Sequence, residues 1–149
     1  MKNPTHVMDQ FSLKDQTAIV TGGGQGLGKA IAIALAQAGA NIIIYARQTE
    51  TAWETQPLIE AEGVVCRVIQ GDIRDEPTVR QMIAKVVEEF GRIDILFNNA
   101  GIWLGSDAEE MPTEDWREVI DVNLTGQFIM SREIGKVMLS QGKGSIINV

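Results

Sequence analysis

The residues best placed to do chemistry are the glycines of Thr21-Gly22-Gly23-Gly24-Gln25-Gly26-Leu27-Gly28. Glycine at 22 permits a sharp turn. Glycine at 26 lets backbone approach a pyrophosphate with no Cβ between them, and glycine at 28 lets a following helix pack close to a sheet. The chemistry this suits is phosphate binding, because a helix N-terminus offers unpaired N–H groups and a partial positive charge. A plain glycine-rich turn is the alternative, and strand before and helix after are what favour the phosphate reading. No Lys-Ser or Lys-Thr pair follows the last glycine, which argues against a P-loop kinase or ATPase. Other reactive groups are sparse. The single histidine, His6, sits in a polar leader, and the single cysteine, Cys66, lies in the apolar run Val64 to Ile69. A buried structural thiol is expected there rather than a nucleophile. One His and one Cys make no metal cluster and no Cys-His or Ser-His pair, so no metal site is expected.

The elements that must position the loop alternate in type. Thr17 to Val20 reads as a buried strand, and Lys29 to Ala38 as a helix ending at Gly39. Asn41 to Ala46 is a second strand, its nearly continuous apolar run predicting cover on both faces. Thr51 to Glu62 reads as a second helix and Val64 to Ile69 as a third strand. Asp75 caps a third helix with Pro77 in its first turn, an inner face of Val79, Met82, Ile83, Val86, Val87 and Phe90, and a stop at Gly91. Ile93 to Phe97 is a fourth strand, residues 102–112 a loop, Thr113 to Gln141 one long helix, and Ser145 to Val149 a fifth strand. Phe11 and Leu13, in the leader, are expected to tuck against the sheet edge. On the long helix Trp116, Val119, Ile120, Leu124, Phe128, Ile134, Val137 and Met138 cover more than one stripe. That breadth predicts burial on two sides, against the sheet and against a partner subunit.

This alternation predicts an α/β fold: a doubly wound parallel sheet of the Rossmann type, strand order 3-2-1-4-5, with ligand beyond the carboxyl ends of strands 1 and 4. One domain, 1–149, is expected. The charged fraction of 22% and hydrophobic fraction of 44% are those of a globular chain. A net charge of −7 argues against nucleic acid or an anionic membrane as partner. The polar N-terminus and the lack of an eighteen-residue apolar run predict neither signal peptide nor membrane span, hence a cytoplasmic location.

Four separated motifs together resemble the short-chain dehydrogenase/reductase family, among it the 3-oxoacyl-carrier-protein reductases and sugar or polyol dehydrogenases. They are the glycine loop; Asp72-Ile73 after strand three; Asn98-Asn99-Ala100-Gly101 after strand four; and Asn123 within Asp121-Val122-Asn123-Leu124-Thr125-Gly126. The resemblance runs from Leu13 onward. It implies that Gly22, Gln25, Gly26, Leu27 and Gly28 bind the cofactor's phosphates, that Asp72 and Ile73 flank its adenine, and that Asn99, Ala100 and Gly101 run along it. Read alone, Asp72 is equally a turn residue. Asn123 would be the asparagine of the family's catalytic tetrad, interrupting regular helix bonding and holding a water in a proton relay; a helix-kinking or exposed Asn is the alternative. If buried, it needs a partner.

Strand two ends in Ala46 and Arg47, with no carboxylate for ribose hydroxyls and a guanidinium for a 2′-phosphate, which leans towards NADP(H) over NAD(H). The implied activity is hydride transfer between NADP(H) and a carbonyl or alcohol, in a homo-oligomer formed through helix 113–141. The family's catalytic serine, and its tyrosine followed four residues later by lysine, have no counterpart. The only tyrosine, Tyr45, has Thr49 four residues on. A reductase truncated at strand five, inactive alone, is therefore expected; the alternative is a non-catalytic dinucleotide-binding or interaction fragment. A Rossmann-like methyltransferase would place an acidic residue where Ala46 stands.

Overall fold

The computed structural model describes residues 7–149; His6 and the start of the polar leader lie outside the described residues. A short 3-10 helix, Val7–Phe11, precedes five strands: β1 (Thr17–Thr21), β2 (Asn41–Ala46), β3 (Cys66–Gln70), β4 (Ile95–Asn98) and β5 (Ser145–Asn148). They form one parallel sheet in the order β3-β2-β1-β4-β5, as the alternation predicts. Ile19 on central β1 lies in register with Ile43 of β2 and Leu96 of β4.

Successive strand residues face opposite sides, so the continuous apolar run of β2 feeds two cores. Ile42 and Ile44 join Ala18 and Val20 beneath helices α1 (Gly26–Gln37) and α2 (Glu50–Glu60). Ile43 and Tyr45 join Ile19 and Leu96 beneath α3 (Glu76–Phe90) and α5 (Gln127–Gln141). Each fully buried isoleucine contributes ~1.5–3 kcal/mol. The first layer is thin because α1 buries only Gly28, Ala32 and Ala36, so its axis rides close to β1. Local signals set the helix ends. Asp75 caps α3 by accepting from the Thr78 N–H at 3.4 Å, and Gly91 closes it with φ 74°.

Two expectations need correction. Helix 113–141 is not continuous: α4 (Thr113–Ile120) passes through a π-helical segment, Asp121–Gly126, into α5. A π turn widens the helix locally and re-aims its side chains. Here it spans Asn123, and a Cβ on Gly126 would lie 2.6 Å from Ile73 Cγ1, so the bulge presses on the loop after β3. Leu13 does pack beside α1, its N–H donating to Ala38 O at 2.8 Å, but Phe11 is 67% exposed because it closes the 3-10 turn rather than an extended segment. On the α1 side, Phe97 of β4 and Ile147 of β5 line an apolar groove with Leu13 and with Leu35 of α1.

Candidate functional site

A cleft of about 440 Å³ opens at the carboxyl ends of β1 to β4. It lies where the sheet order reverses, with β2 on one side of β1 and β4 on the other, the position at which open α/β sheets bind ligands. Of the residues singled out in the sequence, Gly22, Gln25, Gly26, Arg47, Asp72, Ile73, Asn99, Ala100 and Gly101 line it. Leu27, Gly28 and Asn123 do not, and Leu27 is 54% exposed.

The glycine loop folds as a turn because Gly22 takes φ 66°, which side-chain-bearing residues rarely adopt, while its N–H donates to Tyr45 O at 2.9 Å. At Gly26 a Cβ would meet nothing within 4 Å, so that residue borders open space. Gln25 makes no capping bond to α1, leaving the first-turn N–H groups and the positive helix end open to an anion. Glycine at 28, in the first turn of α1, meets the ends of two strands. A Cβ there would lie 2.5 Å from Asn99 Nδ2 and would overlap the Gly22 carbonyl, so the first turn of α1 sits tight against the segments that leave β1 and β4.

Those loops are clasped by Thr21. Its Oγ1 accepts from the Asn99 and Ala100 N–H groups, both at 2.9 Å, and donates to Phe97 O at 3.4 Å. Asn99 Nδ2 returns bonds to Thr21 O at 3.1 Å and Gly22 O at 3.3 Å. Behind it, fully buried Asn98 donates to Ser131 Oγ at 3.0 Å and Asn148 Oδ1 at 2.9 Å, tying β4 to α5 and β5.

At the far end of the cleft Arg47 is an exposed wall, with Glu50 nearby in the lining. Asp72 is a wall too, but its carboxylate is already engaged. Arg74 donates to it through Nε at 3.1 and 3.2 Å, Nη2 at 2.7 Å and backbone N–H at 2.9 Å. The Arg74 hydrogen bonds hold this carboxyl below the usual carboxylate range despite the opposing effect of burial. Turn-forming and cleft-lining are thus both properties of Asp72. Ile73 is 5% exposed.

Asn123 finds the partner its position requires in the backbone of one residue. Its Oδ1 accepts from Ile102 N–H and its Nδ2 donates to Ile102 O, both at 2.9 Å. Ile102 and Val122 are cleft walls, so Asn123 acts on the lining from behind. Tyr45 donates its hydroxyl to Asp72 O at 3.3 Å, and burial, with the Asp75 and Asp72 charges, pushes it up to about 12. Cys66 is buried, which with the Glu60 charge pushes its thiol up to about 12, as suits a structural role. Among the described residues no group of His, Cys, Asp or Glu could hold a metal ion.

Sequence reasoning missed Gly24 and Thr51 as neighbours: a Cβ on Gly24 would sit 2.7 Å from Thr51 Oγ1. It also left Thr21 without a role, although a hydroxyl ending a buried strand was a usable signal. Arg74 had no signal beyond its nearness to Asp72.

A dinucleotide fits this arrangement: a glycine turn, an uncapped helix end, open space at Gly26, and a cleft within the ~300–1,000 Å³ usual for ligands. Comparison with known proteins agrees. The chain is 47% identical over 142 residues to the uncharacterized oxidoreductase YgcW of Escherichia coli (strain K12), covering 95% of this chain and 54% of that protein. It is 43% identical over 144 residues to the 2-dehydro-3-deoxy-D-gluconate 5-dehydrogenase of Bacillus subtilis (strain 168), covering 97% and 56%. It therefore spans about half the length of these relatives. Among solved structures, NAD+-bound xylitol dehydrogenase superposes with TM-score 0.87 at 31% identity, covering 91% of this chain and 53% of that one. The NADPH-dependent 3-quinuclidinone reductase of Rhodotorula Rubra superposes with TM-score 0.85 at 31% identity, covering 99% and 56%. The sequence profile of the short chain dehydrogenase family matches residues 16–149, and the chain belongs to that family.

Proposed function

We propose that this chain forms the cofactor-binding part of an oxidoreductase that transfers hydride between NADP(H) and a carbonyl or alcohol substrate. The observation that carries the reading is the clasped pair of loops at the switch point, with the open helix end of α1 beside them. Gly22, Gln25 and Gly26 in the cleft lining hold the pyrophosphate, Leu27 and Gly28 serve it only as backbone of the first turn of α1, Asp72 and Ile73 take the adenine end, and Asn99, Ala100 and Gly101 run along the cofactor. When bound, the cofactor supplies the hydride carrier. The chain's residues position it and keep the loop after β4 in shape, Asn123 through its two bonds to Ile102. Holding a relay water is the role we assign to Asn123 in the complete site.

Preference for NADP(H) is supported by Arg47 in the lining and the missing carboxylate at Ala46. An Arg fork pairs with a phosphate, whereas an acidic residue would pair with ribose hydroxyls. The structural relatives include one bound to NAD+ and one described as NADPH-dependent, so the preference rests on Arg47. The Bacillus subtilis relative bears the name of a dehydrogenase of a sugar acid, which fits an alcohol or carbonyl substrate. The reading includes a cytoplasmic homo-oligomer, dimer or tetramer, joined through α4 and α5. Trp116, Leu124 and Phe128 there are each more than half exposed, while Ile129, Met130, Ile134 and Met138 face the sheet. Among the described residues no helix is long and apolar enough to cross a membrane.

Titration with NADPH and NADH, followed by nicotinamide fluorescence, tests the reading. Saturable binding that favours NADPH, weakened about tenfold by Arg47→Ala as one charge-assisted contact would be, is expected. Binding of neither nucleotide overturns it. A second reading is a non-catalytic dinucleotide-binding or interaction module. Nucleotide binding without turnover of any carbonyl would select that reading.

A further inference from the structure

We propose that Thr55 is a positioning residue that sets the spacing between the glycine loop and the Arg47 wall of the cleft, and with it the preference for NADPH over NADH. The inference rests on the cofactor reading above, with Arg47 at the 2′-phosphate. Thr55 lies on α2, is fully buried and stands behind the cleft lining rather than in it. Its hydroxyl has one hydrogen, shared between Thr51 O, one turn back at 2.9 Å, and Gly24 O at 3.0 Å. The bond to Thr51 is the ordinary way in which a helical threonine satisfies its hydroxyl. The bond to Gly24 crosses 31 residues and reaches the phosphate-binding turn.

That bond joins two walls of one cleft. Gly24, Gln25 and Gly26 form the first, and Arg47, Glu50 and Thr51 belong to the second. The walls meet at backbone distance, since a Cβ on Gly24 would lie 2.6 Å from Ala52 N and 2.7 Å from Thr51 Oγ1, in the first turn of α2. A carbonyl and the N–H that follows it share one planar peptide and point opposite ways. The hydroxyl that holds Gly24 O therefore also fixes the direction of the Gln25 N–H. On its other side the second wall is tied to β3, where the Arg47 carbonyl accepts from Gln70 Nε2 at 3.1 Å. A dinucleotide with a 2′-phosphate must reach both walls at once, its pyrophosphate at the loop and its 2′-phosphate at Arg47. One without that phosphate needs only the first. Valine at 55 keeps the shape but leaves Gly24 O without this donor, which favours parting of the walls towards water. NADPH then loses more than NADH.

The test compares dissociation constants of NADPH and NADH, read by nicotinamide fluorescence, for the 149-residue chain, Thr55→Val and Thr55→Ser. Thr55→Val is expected to shrink the preference for NADPH about fivefold, within the range for one unpaired buried acceptor, while Thr55→Ser, which keeps the hydroxyl, stays within about twofold of the parent. Placed on Arg47→Ala, the valine change is expected to weaken both nucleotides alike, because the two sites act on one contact. Thr55→Ala supplies the same comparison if the valine chain does not fold. A purely structural threonine would lower stability and weaken both nucleotides equally with Arg47 in place, and that result overturns the inference alone. A parent chain that binds neither nucleotide, or both equally, overturns the NADP(H) reading and takes this inference with it.

Discussion

The turn from β1 into α1 and the turn after β4 close on each other, whereas α4, α5 and β5 turn large apolar side chains to solvent. In the first region Thr21 and Asn99 share their bonds within the chain, and small residues let two loops meet at backbone distance. In the second, α4 buries no residue, every residue of β5 is exposed, and Leu124 and Leu139 are 63% and 83% exposed. The difference is physical. A phosphate cradle needs rigid N–H groups and empty space, which hydrogen bonds and glycine provide from within. A broad apolar face gains only when something covers it.

The sharpest way to break the contrast is Thr21→Val. It keeps the shape but leaves the Asn99 and Ala100 N–H groups without their acceptor, so a loss of about 2–4 kcal/mol is expected in denaturant unfolding. A loss well below that range would show that the clasp is not what fastens the two loops. Gly28→Ala comes next: its new methyl meets Asn99 and the Gly22 carbonyl, costing roughly 1–3 kcal/mol. NADPH binding should fall with it, read by nicotinamide fluorescence. Asn123→Ala frees the N–H and C=O of Ile102, for about 1–2 kcal/mol and faster hydrogen exchange at the Ile102 amide.

Within the second region, buried Glu133 offers a pH test. Hydrogen bonds from Lys136, then Arg132 and Arg80, outweigh its burial and hold its carboxyl at about 2, against 4.5 for a free group. Its folded value is the lower one, so its contribution is complete above pH 4.5 and is lost as pH falls through about 2. Unfolding of Glu133→Gln followed from pH 6 to 2 should lack that part of the acid slope; an unchanged slope would remove the ion cluster from the account. The smallest change in stability belongs to Phe128→Ser, within ~0.5 kcal/mol for an isolated chain because the ring is exposed. The same variant should shift sedimentation towards monomer if that face joins subunits.

Much of this molecule was legible where neighbours in sequence are neighbours in space. The strand alternation, Asp75 and Pro77 opening α3, and Gly91 closing it depend on contacts a few residues apart, while the order 3-2-1-4-5 followed from the rules of right-handed crossovers between parallel strands. Nine of the singled-out residues line the cleft because loops at strand ends must gather at one sheet edge. What could not be read depends on pairs far apart. The Thr21–Asn99 clasp spans 78 residues and the Arg74–Glu118 bond 44. The interruption at Asn123 was implied by resemblance, but its partner, the Ile102 backbone 21 residues away, was not.

By itself, then, the sequence determined the element types, the glycine turn and the family, because hydrophobic period, caps and positive-φ glycines act locally. Only the tertiary structure decided which polar groups would satisfy one another across the sheet edge. It set Gly28 against Asn99, engaged the Asp72 carboxylate with Arg74, and tied the Tyr45 hydroxyl to the Asp72 carbonyl. Those outcomes follow from distances between segments that the chain brings together only once both cores have closed on the sheet.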